Sequence, residues 1–153
     1  MGQSLVKNYV HIVFSTKYRR KLIDDEIESE LFAYLGGICN DLNCQVLNVG
    51  GYRDHVHILC MLSKNIPLAK LMEEVKGHSS KWIKTKGERF KQFRWQNGYA
   101  AFSVDERGIE IVRKYIENQR EHHSGKTKEP FETELIRLLE ENNIPYDFMY
   151  LFD

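Results

Sequence analysis

A chain of 153 residues and 18.1 kDa has room for one domain with one core, spanning residues 1–153, and 42% hydrophobic with 29% charged residues excludes a disordered or membrane-embedded chain. Its longest strongly apolar run, Ile58 to Leu62, is far short of the roughly 20 residues of a membrane span, no basic-then-apolar signal segment opens it, and Cys39, Cys44 and Cys60 form no Cys-x-x-Cys pair, so a cytoplasmic protein without disulfides or structural zinc is expected. The 22 basic and 22 acidic residues cancel, yet residues 129–153 carry seven acids against Arg137 alone, a net of −6, which leaves +6 on residues 1–128.

In chain order, Tyr9 to Ser15 is β-rich and bounded by polar residues, which predicts a strand. A helix starts at Asp24 or Asp25, with acids in its first turn and Ile27, Leu31, Tyr34, Leu35 and Ile38 at helical spacing, and stops at Asn40 to Asn43. Cys44 to Val49 reads as a second strand, Gly50 to Asp54 as a turn, and His55 to Leu62 as a third strand, making a hairpin. Pro67 opens a helix whose buried face is Leu68, Leu71, Met72, Val75, Ser79, Trp82 and Ile83, followed by a hinge at Lys86-Gly87. Phe93 to Ser103 looks extended, with a turn or bulge at Asn97-Gly98. Asp105 caps a helix through about His123, and Pro130 opens an acidic helix to about Asn142, which Pro145 breaks. The βαββαβ order predicts an α+β, ferredoxin-like antiparallel sheet with helices packed on one face, plus C-terminal helices.

Two basic clusters stand out, Lys17 to Lys21 and the stretch from Lys64 to Arg94, which holds nine bases and three acids. Tyr18, Trp82, Phe90, Phe93 and Trp95 lie among them, and cations beside stackable rings are what single-stranded nucleic acid needs for phosphate contact and base stacking. A solvated charged face explains the same clusters equally well. Lys17, Arg19, Arg20, Lys81, Lys84 and Arg94 are the candidate phosphate contacts.

The chemistry rests on His55-Val56-His57. Side chains alternate along a strand, so the two imidazoles share a sheet face and can share one metal ion. Tyr115 and Gln119, four apart on the predicted helix, stack on one stripe, with His122 about a turn further. Each pattern alone is weak, since paired surface histidines and an amphipathic helix with Tyr115 packed beside Val112 are ordinary alternatives. Together they describe one site. Two imidazoles and a neutral amide oxygen leave a divalent charge largely uncancelled, which suits Mg2+ or Mn2+ completed by water and phosphate oxygens. Such an ion polarises a scissile phosphate, with Tyr115 as nucleophile. A phenol of pKa near 10 costs roughly 4 kcal/mol to ionise at neutral pH, a cost that a metal or base reduces. Attack by a tyrosine leaves a phosphotyrosine ester, which keeps the linkage energy for rejoining. Asp54 can orient an imidazole from behind, although an aspartate in a hairpin turn needs no such role. His11 is expected to be structural.

The runs DHVHILCML, WQNGYAAFSV and VRKYIENQREHH, with the opening NYVHIVFSTKYRRKLI and the internal YLGGICNDLNCQVLNVGGYRDHVH, resemble the single-tyrosine His-hydrophobe-His (HUH) transposases of the insertion sequence 200/605 group over nearly the whole chain. The resemblance implies that His55, His57 and Gln119 hold the metal while Tyr115 attacks. It further implies a fold related to the RNA-recognition architecture and single-stranded DNA with hairpin ends as substrate. A 5′-phosphotyrosine intermediate, a free 3′-hydroxyl and a homodimer whose tyrosine helices can complete the partner's site are also implied. Alternatives are a domesticated relative acting on chromosomal repeats and a non-catalytic single-stranded nucleic-acid-binding module. The acidic tail, residues 129–153, is expected to lie away from the DNA path and to pack on the partner chain, so that its deletion leaves DNA affinity intact or raised.

Overall fold

The computed structural model describes residues 2–126 and 128–153. Four strands, β1 (Tyr9–Ser15), β2 (Val46–Tyr52), β3 (His55–Met61) and β4 (Ala100–Val104), form a sheet in the order β2-β3-β1-β4 with every neighbouring pair antiparallel. This is the ferredoxin-like arrangement that the element order predicts. The central pairing sets His57 opposite Val13 and His55 opposite Ser15, while Gly50 on β2 lies opposite His57.

Alternation along β1 and β3 divides the residues between two faces. Val10, Ile12, Phe14, Val56, Ile58 and Cys60 pack with α1 (Glu28–Asp41) and α2 (Leu68–Ile83), whose Leu31, Leu35, Leu71, Met72 and Val75 complete the larger core. Cys39, Cys44 and Cys60 are all buried and free. The opposite face carries His11, Val13, His55, His57 and Leu59. It is covered by α3 (Ile109–Glu117), α4 (Gln119–Ser124) and α5 (Phe131–Glu141), and a short α6 (Phe148–Leu151) ends the chain.

Several boundaries differ from the sequence reading. Strand β2 runs through Gly50-Gly51 to Tyr52, leaving only Arg53-Asp54 for the turn, with Arg53 at φ 60°. The reason is close packing: a side chain at Gly50 would put its Cβ 2.8 Å from both Cγ2 and the carbonyl oxygen of Ile116, so the glycine lets α3 lie against the β2 backbone. Asn48 Nδ2 also donates to the Arg113 carbonyl at 3.1 Å. Gly50→Ala is therefore expected to push α3 outward and to cost about 1–3 kcal/mol in denaturant unfolding, whereas an unchanged midpoint would show that the contact is slack.

The extended stretch 93–103 yields a strand only from Ala100; before it, Trp95 makes an isolated bridge to Thr16, and Asn97-Gly98 joins no hairpin. The helix predicted from Asp105 to His123 is two helices. Asp105 caps a short turn by accepting from Gly108 N, α3 begins at Ile109, and the chain kinks at Asn118 (φ −90°, ψ 12°) before α4. Asparagine's low helix propensity suits the break. Among the described residues, no helix is long and apolar enough to cross a membrane.

Candidate active site

Strand β3 supplies His55 and His57, the end of α3 supplies Tyr115, and the first residue of α4 supplies Gln119. The hairpin turn places Asp54 Oδ1 2.8 Å from His55 Nδ1. On the other side of that ring, His55 Nε2 lies 2.8 Å from Gln119 Oε1. His57 Nδ1 is 2.8 Å from His11 Nε2, so His11 touches the histidine pair from behind. The Tyr115 ring lies edge-on to His57 with centroids 5.7 Å apart. All four predicted residues are thus assembled within one chain, with both histidines and Gln119 buried and Tyr115 half-buried.

Sequence reasoning missed the residue at the centre. Glu134 of α5 is fully buried, and its two carboxylate oxygens face different partners. Oε1 lies 3.4 Å from both His55 Nε2 and His57 Nε2 and 3.0 Å from His123 Nε2. Oε2 accepts a short hydrogen bond from the Tyr115 hydroxyl and another from Gln119 Nε2 at 2.9 Å. Arg137, one turn along α5, donates from Nη2 to the Tyr115 oxygen at 3.1 Å and pairs with Glu129, which also meets His122 Nε2 at 2.7 Å. The missed signal is the stripe Phe131, Glu134, Leu135, Leu138: a charged residue at a core position of an amphipathic helix.

These contacts set the charges. Burial works to raise the Glu134 carboxyl, but the imidazoles of His57 and His55 and the hydrogen bond from His123 override it and hold it well below the usual carboxylate range. Burial pushes His57 down despite Glu134, and pushes His11 down to about 3 with help from His57. The pull of His57 on Glu134 requires a charged ring, which burial opposes. The Gln119 and Tyr115 donors are present whatever the state of His57, so Glu134 is the ionised member of the pair. Burial also works to lower His123, yet its hydrogen bond to Glu134 and that carboxylate's charge raise it, making it the natural countercharge. Burial and then the Glu134 charge push the Tyr115 phenol above its ordinary range, against the pull of Arg137.

The donor inventory fits a cation. With Nδ1 donating to Asp54, a neutral His55 ring presents a lone pair at Nε2; with its amide nitrogen donating to Glu134, Gln119 presents its oxygen. Two acceptors then face each other across 2.8 Å, an arrangement that a positive ion or a second ring proton relieves. Ligand atoms of His55, His123 and Glu134 all lie within 4.8 Å of one another, as do those of His122, Glu129 and Glu134.

A family model described as "Transposase IS200 like" matches residues 4–119. The chain belongs to this family. It is 28% identical over 116 residues to the transposase of insertion sequence element IS200 from Salmonella typhimurium, covering 72% of this chain and 76% of that protein. It is 23% identical over 116 residues to the ISDra2 transposase TnpA of Deinococcus radiodurans, covering 72% and 83%. Among solved structures, a transposase from Deinococcus radiodurans R1 aligns with a TM-score of 0.60 at 23% identity over 78% of this chain and 96% of that one. A REP-associated tyrosine transposase bound to a REP hairpin aligns with a TM-score of 0.59 at 12% identity over 81% and 73%. The IS200-like match ends at Gln119, so Tyr115 and the three predicted ligands lie within it, while His123, Glu129, Glu134 and Arg137 lie beyond it.

The predicted phosphate contacts divide. Lys17, Arg20 and Arg94 line one pocket with Tyr18, whose exposed ring has the Lys17 and Arg20 cations 5.1 and 5.7 Å from its centre. Arg19 is instead held by the tail, pairing with Glu132 at 2.7 Å and donating to the Phe152 carbonyl at 3.2 Å. Lys81 is exposed on α2, and Lys84 follows its last residue, so both belong to the layer on the far side of the sheet from the histidines. Trp95 is buried, its Nε1 donating to Ser79 at 2.9 Å. The acidic tail packs on this chain's own sheet. Its apolar residues Phe131, Leu135, Leu138 and Leu139 pack on Val13 and Phe102, and Phe131 stacks on the His55 ring at 4.4 Å, because burying that stripe outweighs the tail's net charge.

Proposed function

We propose that this IS200-like transposase cuts and rejoins single-stranded DNA at hairpin-bearing element ends through Tyr115. The observation that supports this most directly is the convergence of the Tyr115 hydroxyl with His55, His57 and Gln119 in one buried cluster. In the proposed step Tyr115 Oη attacks the scissile phosphorus, the bond from phosphorus to the 3′ oxygen breaks, and that oxygen takes a proton to become a free 3′-hydroxyl. The 5′ phosphate stays on the tyrosine until a later 3′-hydroxyl displaces it and the phenol recovers its proton. The Glu134 carboxylate is too weak a base to ionise the resting phenol. Its Oε2 takes the proton as the bond from Oη to phosphorus forms and acidifies the phenol, and Arg137 Nη2 sits against Oη, where negative charge develops when the tyrosine later leaves. Asp54 and His11 fix the two imidazoles from behind.

His55, His57 and Gln119 are the proposed holders of Mg2+ or Mn2+, which when bound would polarise the phosphate and offset charge in the transition state. Lys17, Arg20 and Arg94 around Tyr18 are the proposed track for the strand, through phosphate contact and base stacking. A homodimer doubles that track, and its sites are assembled either within one chain, as the cluster here is, or by exchange of tyrosine helices.

The test is to incubate wild type and Tyr115→Phe with labelled hairpin-bearing single-stranded DNA and Mn2+ and to look for a denaturation-resistant adduct. Wild type is expected to form it and Tyr115→Phe to form none. No adduct from wild type on cognate ends would favour a binding module, and equal adduct from both would move the nucleophile elsewhere.

A further inference from the structure

The site contains a carboxylate that the two-histidine and glutamine set does not require. Glu134 reaches it from α5, outside residues 4–119 that carry the family match. Its burial is complete, and among the described residues no lysine or arginine pairs with it; its ionic neighbours are His55, His57, His122 and His123. A buried carboxylate ringed by imidazoles is the surrounding of a metal ligand more than that of a structural ion pair.

The spacing agrees. Two ligand atoms each about 2.1 Å from one ion lie about 3.4 Å apart at a tetrahedral angle and about 3.0 Å apart at a right angle. Glu134 Oε1 is 3.4 Å from His55 Nε2, 3.4 Å from His57 Nε2 and 3.0 Å from His123 Nε2. Gln119 Oε1 is 2.8 Å from His55 Nε2 and 3.0 Å from His123 Nε2. The other carboxylate oxygen is occupied by Tyr115 and Gln119, with His122 Nε2 3.8 Å away, so Oε1 is the oxygen turned to His55, His57 and His123.

We propose that Glu134 is a further metal ligand of this chain, supplied by the helix beyond the family match, so that the ion is held by His55, His57, Gln119 and a carboxylate. This rests on the metal site proposed above and adds a negative charge to it. The carboxylate offsets part of the ion's charge and links the ion to the hydroxyl of Tyr115.

The test uses the full chain without DNA, titrated with Mn2+ by calorimetry and with Co2+ by visible absorption, for wild type, Glu134→Gln, Glu134→Ala, His55→Ala and His57→Ala. Circular dichroism establishes that each is folded. Wild type is expected to bind Mn2+, both Glu134 variants to bind at least tenfold more weakly, and the Co2+ bands to shift in position and intensity in both. A folded Glu134→Gln that matches wild type in Mn2+ affinity and Co2+ spectrum overturns the proposal and leaves Glu134 as a structural plug; if the histidine variants have meanwhile lost binding, the underlying site stands. Should wild type bind no Mn2+, or the histidine variants bind as wild type does, the underlying site fails and the carboxylate ligand with it.

Discussion

Replacing His55 or His57 by alanine is expected to abolish measurable Mn2+ binding and to lower strand cleavage by about a thousandfold or more. The size follows from what an ion contributes at a developing phosphorane charge, several kcal/mol of transition-state stabilisation, with each 1.36 kcal/mol worth about a factor of ten. His57→Ala is the cleaner of the two. His57 contributes Nε2 to the cluster and leans on His11, whereas His55 also holds Asp54 and carries the stacked Phe131. Single-turnover cleavage at saturating Mn2+ reads the effect. A loss under tenfold in folded His57→Ala would mean that the imidazole is not a ligand in the reacting state.

Deleting residues 129–153 is the second large effect, and it falls on stability. The segment buries Phe131, Leu135, Leu138 and Leu139 against Val13 and Phe102, and fills the histidine cluster with Glu134. Each such apolar side chain is worth about 1.5–3 kcal/mol when buried, and a domain's whole stability is typically about 5–15 kcal/mol. The truncated chain is therefore expected to melt at least about 10 °C lower or to fail to fold. A truncated protein melting within a few degrees of the full chain would show that α5 rests on the sheet without contributing to it.

What the sequence made legible was local. Strand alternation puts His55 and His57 on one face whatever covers it, and the four-residue spacing brings Gln119 under Tyr115 even though the helix kinks between them at Asn118. The βαββαβ order was readable because each element carries its own periodicity. The contacts that complete the site were not readable, because they join residues far apart in the chain. Glu134 meets His57 across 77 residues and His11 meets His57 across 46. Net charge does not distinguish among the seven acids of the tail; one of them points inward from an apolar stripe, and only the packing of α5 shows which. Gly50 reads as part of a turn in the sequence because the close approach of Ile116, which demands a residue without a side chain, comes from a helix more than 60 residues away.

The proposed chemistry rests on a covalent bond between Tyr115 and DNA. Its most direct test is to digest the denaturation-resistant adduct with protease and nuclease and to locate the residual nucleotide by mass spectrometry. A nucleotide joined through its 5′ phosphate to the peptide containing Tyr115 is the predicted result. The same nucleotide on any other residue, or a linkage through a 3′ phosphate, would contradict it.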